Sequence, residues 1–448
     1  MKVVRTFDVF VIGTGSAGSS AAFACAEAGL KVGISDDLPF GGTCALRGCD
    51  PKKMLVAAEE TVDLFNRMKS AGAVSGSVAI DWAGLMKFKR SFTDLLPSAR
   101  ERSYADAGIA AFHGHAEFAA SDRLSIGDEN ISAAHFVIAT GERPMDLQFS
   151  GDEHVIDSTH FLECETLPAN IVFVGGGYIS FEFAHICARA GSKATIFHRG
   201  KRPLEQFDVQ LVGKLVEATE TLGIDVLLEF AVSSVVRNAD GFTVTAGDRT
   251  IETDLVVHGA GRMPAIGDLN LDAAGVDWNR KGVAVNDFLQ STSNPRVYAA
   301  GDAARTGGPP LTPVANYTGS IAAKNILKPN TRKAHFGNIP SIVFTTPSLG
   351  SVGLTQDRAE GQALAYRINE GDSSRWYSSR RVNEKTSAYR VLIDKESDRI
   401  LGAHVLGPGT EELINLFALA MQSDLTATKI QNTMMAYPTY GSDMYYLV

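Results

Sequence analysis

An α/β fold, built on two copies of one βαβ unit with a separate α+β region at the C-terminal end, is predicted by three observations. A strand, a glycine turn, a helix of small residues and a second strand open the chain. The same pattern returns 162 positions later. From about residue 334 it gives way to strand-rich segments with isolated helices. The chain has 448 residues, about three domains' worth by the usual prior.

The first unit is "FDVFVIGTGSAGSSAAFACAEAGLKVGISDD". Gly13, Gly15 and Gly18 allow a tight turn, close backbone approach to a pyrophosphate and close helix-to-strand packing. Ser16 and Ala17 begin the helix, whose free N–H groups and positive dipole face the phosphates. Asp36 ends the second strand, where a carboxylate can bind ribose hydroxyls. One such loop is weak evidence, because glycines also serve turns without a ligand. In "ANIVFVGGGYISFEFAHICARAGSKATIFHRGKR", however, Gly175, Gly177 and Ser180 repeat Gly13, Gly15 and Gly18, and Cys187, Gly191 and Lys193 repeat Cys25, Gly29 and Lys31. Two Rossmann-like dinucleotide-binding domains are therefore expected. Asp36 corresponds to His198, followed by Arg199, Lys201 and Arg202. A carboxylate suits a free 2′-hydroxyl and arginine suits a 2′-phosphate, so the first site is assigned to FAD and the second to NADPH over NADH. A solvated basic loop is the plainer account of Arg199 to Arg202.

"FVIATGERP" and "VVHGAGRMP" each run from a strand into a glycine-containing turn, as at a domain crossing. They bracket the second unit. The expected divisions are residues 1–149 for the first dinucleotide domain, 150–262 for the second, 263–333 for a return to the first, and 334–448 for the α+β domain.

The net charge of −9 disfavours nucleic-acid and anionic-membrane partners, which need a basic patch. The N-terminus passes from a charged leader into a strand with no signal-peptide pattern, and no apolar run is long enough to span a bilayer. A cytoplasmic protein is expected. Five cysteines are too few for a disulfide framework, and a close pair in a reducing compartment is catalytic or metal-binding more often than structural.

That pair is Cys44 and Cys49, in "GGTCALRGCDPKK". Five residues apart in a regular helix, their Cα atoms would stand roughly 8 to 9 Å apart, beyond disulfide reach. A bond needs distorted backbone, which Gly41, Gly42 and Gly48 permit. Pro51 suits the first turn of a following helix, where a thiolate has a lowered pKa. A zinc site would need two more ligands. Cys25 and Cys187 sit within small-residue helices and Cys164 in "FLECETLP", so no metal is expected. Two unrelated thiols is the remaining alternative.

The segment resembles the GGTCxxxGCxPxK signature of the flavoprotein disulfide reductases, the class I pyridine nucleotide-disulfide oxidoreductases that include glutathione reductase, dihydrolipoamide dehydrogenase and mercuric reductase. The resemblance covers nearly the whole chain: "ATG" at Ala139 to Gly141, "GGGYISFE" at Gly175 to Glu182, "GAGRMP", "VYAAGDAA", "LTPVA" and "VFTTPSLGSVGLT" follow in order. It implies a C-terminal dimerisation domain, a homodimer and a role in cell redox homeostasis. It makes Cys44 and Cys49 a redox-active disulfide, with Cys49 facing the flavin and Cys44 meeting the substrate. Lys52 would lie near flavin N5 and pair with Glu182, and Tyr178 would be the lid that nicotinamide displaces. Asp302 would bind the ribitol chain, Thr43 the pyrophosphate and Asp36 the adenosine ribose, with Gly42, Ala116, Thr140, Gly141 and Thr312 completing the FAD site. Gly175, Gly177, Tyr178, Ile179, Glu182, Arg199, Arg202 and Gly261 would hold NADPH. Electrons would pass from NADPH through flavin to the disulfide.

The C-terminal end departs from the family, whose His-Pro-Thr motif supplies an acid/base for the other subunit's interchange thiol. Here "AYPTYGSDMYYLV" has Tyr437 in the histidine's place, and no histidine follows His404. A phenol with a reference pKa near 10 is a poor partner for a thiol near 8.5. Tyr437 is assigned either a hydroxyl role or aromatic packing at the dimer interface. Arg47 and Asp50 put charges in a stretch that is mostly apolar in the family, and a local ion pair is their commoner fate. The expected activity is FAD-dependent, NADPH-preferring reduction of a small disulfide or other acceptor. The alternatives are a metal-ion reductase, against which the lack of any cysteine after Cys187 counts, and a flavin-bearing redox sensor with little turnover.

Overall fold

The computed structural model describes residues 4–448; residues 1–3, where the charged leader starts, lie outside the described residues. The chain forms two compact units. One runs through Lys52 and continues in Lys87–Met145 and Arg262–Phe336; the other comprises Lys53–Met86, Asp146–Gly261 and Gly337–Val448. The α/β class, the two Rossmann-like units and the C-terminal α+β region are all present.

In the first unit, β1 (Val4–Ile12) lies parallel between β2 (Val32–Asp36) and the strand Glu129–Ile138. These belong to a seven-stranded sheet that also takes Ala110–His113 beside β2 and Val297–Ala299 beside Glu129–Ile138. Continuous apolar runs such as Val9 to Ile12 are buried, as strands covered on both faces must be. Helix α1 (Ser16–Glu27) buries Ala17, Ala21, Ala22 and Cys25 against this sheet. Its small side chains also let the helix Thr312–Leu327 come close, so that a Cβ on Gly319 would stand 2.2 Å from the Ala17 carbonyl oxygen. Cys25 is core, as read from sequence.

The second unit contains a four-stranded parallel sheet in the order Asp225–Leu228, Lys193–His198, Asn170–Val174, Leu255–His258. A five-stranded antiparallel sheet formed by residues 341–406 carries the helix Thr410–Gln422 on one face. Residues 53–86, 146–261 and 337–448 lie in one compact unit. The physical reason is helix α3 (Cys49–Ser70), which runs unbroken for 22 residues and buries Leu55 and Val56 in a core with Phe161, Phe173, Phe181 and Leu406.

Within this unit Asp208 has two tasks. Its carboxylate accepts from the N–H groups of Gln210 and Leu211 at 3.0 and 3.2 Å, capping the helix Val209–Thr221, and it meets the buried Arg390 at 3.4 Å. Asp208→Ala should cost about 3 kcal/mol, because it removes a cap and leaves a buried guanidinium short of its countercharge. Urea denaturation of the holoenzyme measures this; a loss below about 1 kcal/mol would mean that Glu370, 3.0 Å from Arg390 Nε, suffices alone.

Candidate active site

The two cysteines sit where one helix stops and another begins. Helix α2 (Gly42–Arg47) ends at Gly48, whose φ of −150° and ψ of −109° break the run, and α3 starts at Cys49 with Pro51 in its first turn. The first bond of α3 runs from Lys52 N–H to the Gly48 carbonyl, 3.2 Å. This is the distortion that the five-residue spacing demanded. The two cysteines lie close to disulfide distance, and the Cys49 thiol is hydrogen-bonded to Cys44, the largest cause holding the Cys44 thiol well above its ordinary pKa, with burial next. The Thr312 hydroxyl stands 3.7 Å from Cys49 Sγ. Sequence reading gave Thr312 to the cofactor, and its nearest recorded partner is this sulfur.

Asp50 and Arg47 do not pair with each other. The Arg47 guanidinium turns to the Pro39 carbonyl, 3.4 Å; burial lowers its pKa while Asp36 and Asp37 hold it up. The Asp50 carboxylate is left beside Cys44, whose thiol donates to Oδ1 at 3.9 Å. Burial raises the Asp50 pKa and the contact with Cys44 pulls it back.

The two glycine loops are built alike. At the first, Thr14 donates its N–H and hydroxyl to Asp36 Oδ2 at 2.7 and 2.6 Å, and Asp36 Oδ1 accepts from Leu38 N–H at 3.0 Å. At the second, Gly176, 162 positions after Thr14, donates its N–H to His198 Nδ1 at 3.2 Å. Accepting at Nδ1 puts the ring proton on Nε2, which donates to the Arg202 carbonyl at 2.8 Å. The imidazole thus takes over the loop-closing contact of the carboxylate without its charge. Of the cations beyond it, Arg202 bonds the Glu205 carbonyl at 3.0 Å and meets Asp357 at 3.6 Å, while Arg199 and Lys201 are exposed.

A sequence profile described as pyridine nucleotide-disulphide oxidoreductase matches residues 7–319, and one described as that family's dimerisation domain matches residues 339–446. The chain belongs to the pyridine nucleotide-disulphide oxidoreductase family. It is similar to a glutathione reductase of Burkholderia cepacia, 31% identical over 98% of this chain and 97% of that one, and to a dihydrolipoyl dehydrogenase of Halobacterium salinarum, 31% identical over 96% and 93%. A mercuric reductase of Staphylococcus aureus is 30% identical over 98% of this chain and 81% of that one. Among solved structures, the Cu(II) complex of the HOCl-induced flavoprotein disulfide reductase RclA from Escherichia coli superimposes with a TM-score of 0.89 at 25% identity, covering 99% of each chain. The protein is a flavoprotein disulfide reductase of this family, FAD-dependent and using a pyridine nucleotide.

The residues of the first loop fit an FAD. Gly42 has φ +74°, and a Cβ there would stand 2.4 Å from the Gly15 Cα, so the redox segment lies directly on the glycine turn. Gly41 N–H donates to the Thr14 hydroxyl at 3.1 Å, tying the same two segments. Thr140 Oγ1 is buried with no protein partner, a polar atom left for a ligand. Ala116, which starts the strand Ala116–Ala120, is buried and offers backbone only. Asp302 lies in the turn Gly301–Ala303, its pKa raised by burial and opposed by Arg262. Sequence reading passed over its neighbour Glu142, which burial and the Asp302 charge push up to about 7 against the pull of Arg262, 3.8 Å away. The signal for it was a glutamate directly after "ATG".

In the nucleotide-binding half, Tyr178 and Ile179 begin the helix Tyr178–Arg189 that Gly177 caps, with the Tyr178 ring half exposed. Glu182, 1% exposed, accepts from Phe344 N–H at 2.9 Å and forms an ion pair with Lys53 at 3.1 Å. Lys53 also lies 3.4 Å over the Phe344 ring. Sequence reading passed over Lys53; adjacent lysines on a helix point about 100° apart, and the packing shows Lys53 as a partner of Glu182, next to the buried Lys52.

Tyr437 is 78% exposed in a stretch where residues 431–439 are all exposed, its ring 6.3 Å from Tyr377. Asp443 is hydrogen-bonded to Ser378 and near Arg381, its pKa raised by burial. Among the described residues no group of three or more His, Cys, Asp or Glu is arranged to hold a metal, and no helix is long and apolar enough to cross a membrane.

Proposed function

We propose that this enzyme oxidises NADPH and reduces a low-molecular-weight disulfide through the Cys44–Cys49 pair, acting as a homodimer in the cytoplasm. The single observation that carries the reading is the pair itself, two cysteines in mutual contact across a helix break. Bound FAD would supply the two-electron relay between nicotinamide and disulfide. Cys49 starts a long helix, whose N-terminal dipole favours a thiolate there; Cys44 is the thiol that attacks the acceptor. The dimerisation domain supports the homodimer.

NADPH over NADH is supported by the neutral ring of His198 at the strand end and by exposed Arg199 and Lys201 beyond it. Arg199→Glu should raise KM for NADPH at least about tenfold while leaving NADH within about twofold. Equal effects on the two nucleotides would show that Arg199 does not read the 2′-phosphate. The acceptor is tested by titrating the purified protein anaerobically with NADPH and mixing the two-electron-reduced form with disulfides, Cu(II), Hg(II) and quinones. Rapid reoxidation by a disulfide supports the reading. Reoxidation by metal ions alone would move the enzyme toward metal-ion reduction, in keeping with the Cu(II) complex of its structural neighbour, and reoxidation by none would leave the redox sensor.

A further inference from the structure

We propose that Asp50 is the acid–base residue of Cys44, accepting its proton as the sulfur attacks and returning that proton to the departing thiolate. The inference deepens the disulfide-reductase reading and rests on it. Three observations carry it. The Asp50 carboxylate has the Cys44 thiol as its recorded hydrogen-bond partner, at 3.9 Å. Arg47, the cation on α2, is committed to the Pro39 carbonyl and faces Asp36 and Asp37, so it does not pair with Asp50. No histidine follows His404, and His404 is held in the core by Ser351 and the Leu354 carbonyl. The groups acting on the Cys44 thiol are Cys49 and Asp50 on α3 and the Thr312 hydroxyl on the helix Thr312–Leu327. Asp50 is the only carboxyl among them. Burial raises its pKa, opposed by the hydrogen bond from Cys44.

The step balances as follows. In the dithiol enzyme Asp50 takes the Cys44 proton while Cys44 sulfur attacks one sulfur of the acceptor R–S–S–R. The acceptor S–S bond breaks, a Cys44–S–S–R mixed disulfide forms, and the leaving RS⁻ takes the proton from Asp50. Cys49 thiolate then attacks the Cys44 sulfur, the Cys44–Cys49 disulfide closes, and the second RS⁻ takes the proton that Cys49 released to solvent. Two electrons pass from the dithiol to the acceptor, giving two RSH.

The test uses the FAD-bound enzyme reduced with dithiothreitol. Alkylation by iodoacetamide is followed at each cysteine by peptide mass spectrometry between pH 4 and 10, for wild type, Asp50→Asn and Asp50→Glu. In the wild type the Cys44 rate should rise in two steps, the lower belonging to the carboxyl. Asp50→Asn should show the thiol step alone, and Asp50→Glu should restore the lower one. In parallel, reoxidation of the reduced enzyme by bis(2-hydroxyethyl) disulfide at pH 7 should slow about 100-fold in Asp50→Asn. Superimposable Cys44 profiles would overturn the proposal. So would an Asp50→Asn profile that only slides to lower pH while the disulfide reacts at the wild-type rate, because the carboxylate would then act on Cys44 through its charge alone. The alkylation needs no acceptor, so failure of the acceptor class and failure of Asp50 are read separately.

Discussion

Cys49→Ser should lower NADPH-driven disulfide reduction by more than about 10³-fold, the scale of loss when a covalent nucleophile is removed. Serine keeps the shape of the first turn of α3 and is tolerated at a helix start, so the fold should persist. It cannot close a disulfide with Cys44, and a mixed disulfide formed on Cys44 would have no internal thiol to resolve it. Mixing the reduced variant with an acceptor should therefore trap a stable adduct on Cys44, visible as added mass. Residual turnover above about one part in a hundred would mean that electrons leave the flavin directly and that the pair is not on the main route.

Gly42→Ala should give a large structural effect in the first unit. Its φ of +74° disfavours any L side chain, and the added Cβ would stand 2.4 Å from the Gly15 Cα with backbone on both sides and nothing flexible to yield. The expected cost is about 3 kcal/mol or more, concentrated where the glycine turn, the Thr14 hydroxyl and the redox segment meet. The variant should purify with little flavin, measured as the ratio of flavin to protein absorbance, and with a lowered Tm. Gly72→Ala, at a similar φ of +74° but with open space around its Cβ position, is the control that separates backbone strain from the clash. Equal flavin content in the two variants would mean that the close approach of Gly42 to Gly15 does not shape the site.

Much of the site was legible because it is local. A glycine turn after a strand, an acid ending the next strand, two cysteines with a glycine before the second and a proline two beyond it are constraints within a few dozen residues, and backbone geometry leaves few ways to satisfy them. The repeat added an internal check. It placed His198 opposite Asp36, and the structure gives each the same backbone contact from the same loop position. The helix break between Cys44 and Cys49 followed from distance alone.

What escaped the sequence depends on which side of a helix meets which neighbour. Lys52 and Lys53 are equivalent in one dimension; the pair with Glu182 and the Phe344 ring identifies Lys53 as a partner. Arg202 belongs to the basic loop by spacing, yet Asp357, more than a hundred residues away, shares its charge. Arg47 and Asp50 are three apart and look like an ion pair, but Gly48 breaks the helix that would have aligned them, sending one to the Pro39 carbonyl and the other to the Cys44 thiol. The sequence by itself determined the chemistry the chain carries: two nucleotide loops and a redox cysteine pair, because both are written in neighbouring residues under steric rules. Only the tertiary structure decided which charges remain available beside those thiols and loops, because a charge is claimed by whichever opposite charge, carbonyl or thiol the packing brings within a few ångströms.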